Sequence, residues 1–162
     1  MFVAVAVLLS IAGICTVHAG ETRTNVAFKK PCTMSDQVGD YACTYGNDGN
    51  TEAGSCFQTK RSAKNFWRVD LEDTYEIVKI KIYSNLDAAE RQGNNIRVFI
   101  GLEESDVFRT KVGDFQDLLD IQIIDLPPGT KASYVKIVQT APEGNLLKLN
   151  LCEIQVFSPN ST

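Results

Sequence analysis

The chain has 162 residues, 44% of them hydrophobic and 22% charged, with a formal net charge of −4 at pH 7. This length suits one domain with a sizeable core, and the acidic balance argues against a nucleic-acid backbone or an anionic membrane as the main partner. The single histidine is His18, so nothing beyond residue 19 supplies an imidazole for a Ser-His or Cys-His couple or a zinc cluster, which speaks against an enzyme.

Residues 1–19 carry no Lys, Arg, Asp or Glu, run through Val3, Val5, Val7, Leu8, Leu9 and Ile11, and end in Val17-His18-Ala19 before Gly20. That pattern reads as a signal peptide cut after Ala19, leaving residues 20–162 as one mature, secreted, extracellular domain. No later apolar stretch approaches membrane-spanning length, so membrane insertion is not expected. Cys15 leaves with the signal, and Cys32, Cys43, Cys56 and Cys152 remain for an oxidising compartment. Four cysteines allow three pairings. Cys32 and Cys43 enclose a short Asp/Gly/Tyr loop, which leaves Cys56 to staple Cys152 across the domain.

Strand periodicity dominates the rest. Val78, Ile80 and Ile82 alternate with Lys79, Lys81 and Tyr83, and Ile96, Val98 and Ile100 alternate with Arg97 and Phe99. Further strands are expected over Phe66 to Leu71, Ile121 to Ile124, Ser133 to Val138 and Leu147 to Phe157. Turn signals lie between them at Asp48-Gly49, Gly93-Asn94-Asn95, Pro127-Pro128-Gly129 and Pro142-Glu143-Gly144. Ser105 to Leu119 is the one stretch with room for a helical turn or two. Many short strands with almost no long helical pattern indicate an all-β fold, a single antiparallel sandwich or jelly roll. Asn160-Ser161-Thr162 is a glycosylation sequon at the chain end.

Two segments far apart in sequence carry the chemistry. Tyr45-Gly46-Asn47-Asp48-Gly49-Asn50 leads to Ser55-Cys56-Phe57-Gln58-Thr59, and Leu149-Asn150-Leu151-Cys152-Glu153-Ile154 lies near the end. A carboxylate, a carboxamide and a hydroxyl on a tight turn, beside a Cys and a distant Cys-Glu that could meet them, are the ingredients of a disulfide-locked calcium site. The plain alternative is an Asp-Gly hairpin turn with Glu153 on the surface. Glu103-Glu104 could in principle serve as a glycosidase pair, but they read better as solvated loop charges.

Together with Asn25-Val26-Ala27, Phe66-Trp67-Arg68-Val69-Asp70-Leu71 and Arg97-Val98-Phe99-Ile100-Gly101, these segments resemble the F-type lectin family, the fucolectins, over nearly all of residues 20–162. The resemblance implies a discoidin-type jelly roll, a structural calcium ion and loops at one end of the barrel that hold fucose. It implies as calcium ligands the carbonyls of Tyr45 and Asn50, the Asp48 carboxylate, the Ser55 hydroxyl and carbonyl, the Cys152 carbonyl and the Glu153 carboxylate. Such a set suits a hard cation that takes roughly six to eight oxygens.

The family's fucose motif, a His followed by Arg-x-Asp and a second Arg, is altered here. Gln58 stands in place of the His, Asn85-Leu86-Asp87 in place of Arg-x-Asp, and Gln92 in place of the second Arg, with Arg91 one position earlier. Ala88-Ala89 replaces the pair of cysteines that many members set against the sugar. Gln58, Asn85 and Arg91 are therefore the expected carbohydrate-binding residues, for fucose or an altered saccharide. The implied partners are extracellular glycans or glycoproteins, in defence or cell recognition, with homo-oligomerisation left open as a source of avidity. The competing expectation is a discoidin-type module that binds a protein or lipid surface, for which Phe57 and Phe108 are the candidate apolar loop-tip residues.

Overall fold

Alternation along the sequence becomes alternation in space. In the computed structural model, which describes residues 23–85, 93–106 and 110–159, Trp67, Val69 and Leu71 of one strand are fully buried while Phe66, Arg68 and Asp70 between them are half-buried on the other face. The strands among these residues are β1 (Arg23–Asn25), β2 (Cys32–Met34), β3 (Phe57–Gln58), β4 (Lys64–Glu76), β5 (Lys79–Ser84), β6 (Ile96–Gly101), β7 (Thr110–Phe115), β8 (Ile121–Asp125), β9 (Lys131–Thr140) and β10 (Asn150–Pro159). Single 3-10 turns lie at Cys43–Gly46 and Glu104–Asp106.

All pairings are antiparallel and fall into two sheets. One runs β1-β10-β5-β8, with β3 also paired to β10, and the other runs β2-β4-β9-β6-β7. The core between them joins Trp67, Val69 and Leu71 to Ile80 and Ile82, Ile96, Val98 and Ile100, Val135 and Ile137, and Ile154 and Val156. This is the all-β antiparallel sandwich expected from the sequence. Each predicted strand is present; β4, β8 and β9 run longer than predicted, and β10 begins at Asn150 rather than Leu147.

The Ser105 to Leu119 segment differs from expectation. It gives one 3-10 turn and then β7, which pairs with β6 from Ile96↔Phe115 to Ile100↔Thr110. The edge of β6 offers backbone donors and acceptors that a ladder satisfies better than an isolated helical turn. Gly113 fits there because a Cβ would lie 2.6 Å from the Phe115 ring and 2.9 Å from Ile124 Cδ1.

Trp67 anchors the loop end of the sandwich. Its indole N–H donates to the Cys43 carbonyl (2.9 Å), and its ring lies 6.0 Å from that of buried Phe57. Gly46 closes over this pair, where an added Cβ would meet Trp67 Nε1 at 2.7 Å and Phe57 Cδ1 at 3.0 Å. Gly46→Ala should therefore destabilise the domain by about 2 kcal/mol through overpacking. A denaturant midpoint unchanged in the variant would show that the Cys43–Gly46 turn is free to lift off the tryptophan.

Both disulfides are those expected, Cys32–Cys43 and Cys56–Cys152. Among the described residues no helix is long and apolar enough to cross a membrane. Residues 1–19, expected as a signal peptide, together with Arg91, Phe108 and the Asn160 sequon, lie outside the described residues.

Candidate functional site

After the Cys43–Gly46 turn the chain reaches Asn47, which is 1% exposed and ties the next loop down. Its amide nitrogen donates to the carbonyls of Ala27 (2.8 Å) and Lys30 (2.9 Å), and its own carbonyl accepts from the Lys29 N–H (2.8 Å). Gly49 adopts φ +89°, and a Cβ there would lie 2.8 Å from the Phe28 ring, so both conformation and space call for glycine. Short polar side chains then fold the loop on itself. Asp48 Oδ1 accepts from the Asn50 N–H (2.8 Å), Asn50 Oδ1 from the Glu52 N–H (3.0 Å), and the Ser55 hydroxyl donates to Asp48 Oδ2 (3.0 Å).

Strand β10 brings the second half of the constellation. Cys152 is buried and bonded to Cys56, which places Glu153 next to the loop that carries Asp48 and Ser55. Glu153 is fully buried, and its Oε2 accepts from the Gly49 N–H (3.1 Å). Its Oε1 has no donor among the described residues. Burial, which outweighs the opposing Gly49 hydrogen bond, and the neighbouring Asp48 charge push the Glu153 carboxyl up to about 7.

A buried carboxyl with one bare oxygen and a second carboxylate beside it is costly unless a proton or a cation occupies the space. The donors around it are hard oxygens, from two carboxylates and a hydroxyl, and both nearby sulfurs are locked in a disulfide. Among the described residues no group of three or more His, Cys, Asp or Glu side chains gathers so as to hold a metal ion by those side chains alone. Two carboxylates and a hydroxyl are the donor types that a hard cation such as calcium accepts, and it would need main-chain carbonyls beside them to fill its shell. Hydrogen bonds bring Asp48, Ser55 and Glu153 to one loop; Asn50 lies on that loop, Tyr45 lies in the 3-10 turn just before it, and Cys152 adjoins Glu153.

The amides expected to meet sugar lie at the same end. Gln58 in β3 stands opposite Asn150 in β10, and the Asn85 amide nitrogen donates to Asn150 Oδ1 (3.4 Å). Asn150 thus links the two expected residues and was not singled out from the sequence. Its signal was slight: a polar residue opening a strand, two positions before Cys152. The Gln58 main chain also accepts a hydrogen bond from the Val38 N–H (3.1 Å) and donates its own N–H to the Tyr41 carbonyl (3.2 Å), which ties β3 to the 38–41 segment. Phe57, considered above as an apolar loop tip for a lipid surface, is fully buried against Trp67 and unavailable for that role.

The family described as "NedA-like, galactose-binding domain", of the F5/F8 type C group, matches residues 45–137. Fucolectin-3 of Anguilla japonica is 26% identical over 153 residues, covering 86% of this chain and 82% of that protein. Fucolectin-6 of the same eel is 31% identical over 86 residues, and the match spans less than half of it, 46%, and 48% of this chain. A fucose binding module of Streptococcus pneumoniae, 25% identical, superposes with a TM-score of 0.73 over 85% of this chain and 99% of that one. These relatives are lectins and carbohydrate-binding modules rather than enzymes, and they support the discoidin-like F-type lectin resemblance carried by the sequence motifs. With more than half of its length matched, the chain belongs to the F5/F8 type C family of NedA-like, galactose-binding domains.

Proposed function

We propose that residues 20–162 form a secreted, calcium-stabilised lectin-like domain whose loop end recognises extracellular glycans, through fucose or a related saccharide. The observation that carries this reading is the placing of Gln58 opposite Asn150, with Asn85 hydrogen-bonded to Asn150, on the strands that the Cys56–Cys152 bridge joins. Amides present donors and acceptors on one planar group, which suits the paired hydroxyls of a sugar. The two disulfides support secretion, because such bridges persist in oxidising compartments.

The metal pocket and the sugar end are mechanically joined. Glu153 lies three residues after Asn150 on β10, and its partner loop continues through Ser55 and Cys56 into Gln58. A bound calcium ion supplies the positive charge that the Asp48 and Glu153 carboxylates lack. With their charges met, those residues hold the 47–55 loop against β10, and Gln58 and Asn150 keep their mutual register. Chelation should therefore weaken sugar binding without any sugar contact to the metal.

Titration of L-fucose and D-galactose into the calcium-loaded protein tests the reading. Asn85 is only half-buried, so Asn85→Ala should leave the melting temperature nearly unchanged while weakening whichever sugar binds by about tenfold, the effect of one lost hydrogen-bond partner to the ligand. Equal affinities for the variant and the native chain would remove the amide cluster from the binding site.

A further inference from the structure

The outer face of the β2-β4-β9-β6-β7 sheet holds an arrangement that the loop end does not use. Thr33, Arg68, Lys136, Phe99 and Lys111 form one cross-strand row, with Arg68 of β4 directly opposite Lys136 of β9. Like charges opposite one another destabilise a sheet. Here the cost is compounded, because Lys136 is only 8% exposed, and burial together with the adjacent Arg68 cation holds its ammonium below the usual lysine range. Its Nζ lies 4.5 Å over the Phe66 ring, and the Arg68 guanidinium lies 5.9 Å over the Tyr134 ring.

A carboxylate answers Arg68 from outside the sheet. Glu104, on the 3-10 turn Glu104–Asp106, forms an ion pair with Arg68, yet its side chain is 64% exposed. Arg68, Lys136, Glu103, Glu104 and Ser105 line an open groove of about 620 Å³, within the range of small-ligand sites. Arginine is suited to planar oxyanions because its fork of N–H groups meets two oxygens at once. Exposed ion pairs are weak, so Glu104 holds the place of an oxyanion that an incoming ligand can take.

We propose that this groove is a second binding site, separate from the loop end, for the oxyanion of an acidic saccharide: a uronic carboxylate or a sulfate ester seated on Arg68 and Lys136. Glu104 is its internal competitor. The Ser105 hydroxyl and the flanking Phe66 and Tyr134 rings provide the polar and aromatic surfaces that a sugar ring needs beside its charged group. Glu103 and Glu104 on the rim disfavour long polyanions, which restricts the ligand to one carrying an isolated charge.

Amide NMR of the full chain at fixed salt tests this with four probes: glucuronate, galactose 6-sulfate, inorganic sulfate and galactose. Glucuronate or galactose 6-sulfate should shift the Ser105 and Lys136 amides. Either should bind Glu104→Gln about fivefold tighter than the native chain, the factor of an exposed ion pair released from competition, and bind Arg68→Gln at least about tenfold more weakly. Glu104 is solvent-exposed, so its variant keeps the fold and the test stays readable even if Arg68→Gln misfolds. Three results would each overturn the proposal: no tightening in Glu104→Gln, equal shifts from galactose, or inorganic sulfate binding as tightly as the sulfated sugar. Binding at the loop end reads out separately at Gln58 and Asn85, so failure of one site is not failure of the other.

Discussion

Replacing Cys56 and Cys152 together by alanine is expected to destabilise the domain by about 4–5 kcal/mol, the chain-entropy cost of opening a loop of roughly a hundred residues. The bridge joins residues 96 apart, whereas Cys32–Cys43 joins residues only 11 apart, so the same change at Cys32 and Cys43 should cost less, about 3 kcal/mol. In a domain of this size the long-range loss lowers the melting temperature by more than about 10 °C. A second consequence is local. Cys56 follows Ser55 and Cys152 precedes Glu153, so without the bridge the Asp48 loop and Glu153 are no longer held together, and calcium affinity should fall with stability. Melting curves of the two double variants, each with calcium and with chelator, separate these effects. Equal losses from the two bridges would show that the long-range one is not the clamp of the loop end.

The Glu153 carboxyl makes the metal-free protein sensitive to pH in an unusual direction. Its folded-state value of about 7 lies above the ordinary value of 4.5. Below pH 4.5 both folded and unfolded chains hold the proton and there is no penalty. As pH rises from 4.5 to 7 the unfolded chain loses its proton first, so stability falls, reaching a loss of about 3 kcal/mol above pH 7. Calcium reverses this by favouring the ionised form, so its affinity should drop as pH falls below 7. At a hundredfold excess over Kd it should add about 2.7 kcal/mol at neutral pH, or about 8 °C in a domain of this length.

Glu153→Gln removes the titration and the cation's main charge in one step. Its metal-free stability should be flat between pH 4.5 and 7 as far as this group is concerned, and calcium should no longer raise its melting temperature. Glu104→Gln, on the Glu104–Asp106 turn over the other sheet, should keep the calcium response. An unchanged melting curve of the native chain in chelator, or equal effects of the two substitutions, would contradict the ligand assignment.

Much of this architecture is legible in residue order, and the parts that are not have physical causes. Strands β5 and β6 are plain because isoleucine and valine alternate with Lys, Arg or aromatic residues over a full half-dozen positions. Strands β1, β2 and β3 span only two or three residues each, too few for a period of two to register. Strand β7 reads Thr-Lys-Val-Gly-Asp-Phe, with a glycine and two charges in six residues, and only the free edge of β6 makes it a strand. At the site, Glu153 stands out because it adjoins Cys152, and Asp48 because it opens an Asp-Gly turn a few residues before Cys56. Asn150 does not, because its importance lies in cross-strand register with Gln58 and a hydrogen bond from Asn85, both of which depend on tertiary pairing. The Arg68–Lys136 pair is hidden for the same reason: 68 positions of sequence separate two cations that the β4–β9 ladder sets side by side.

The central claim is that the loop end binds a glycan, and a glycan array probed with the folded, calcium-loaded protein addresses it most directly, with fucosylated and non-fucosylated ligands side by side. Binding to a defined set of glycans, reduced by chelator and by Asn85→Ala, is the predicted result. A folded, calcium-loaded sample that binds no glycan at all would contradict the claim and turn attention to a protein surface as the partner.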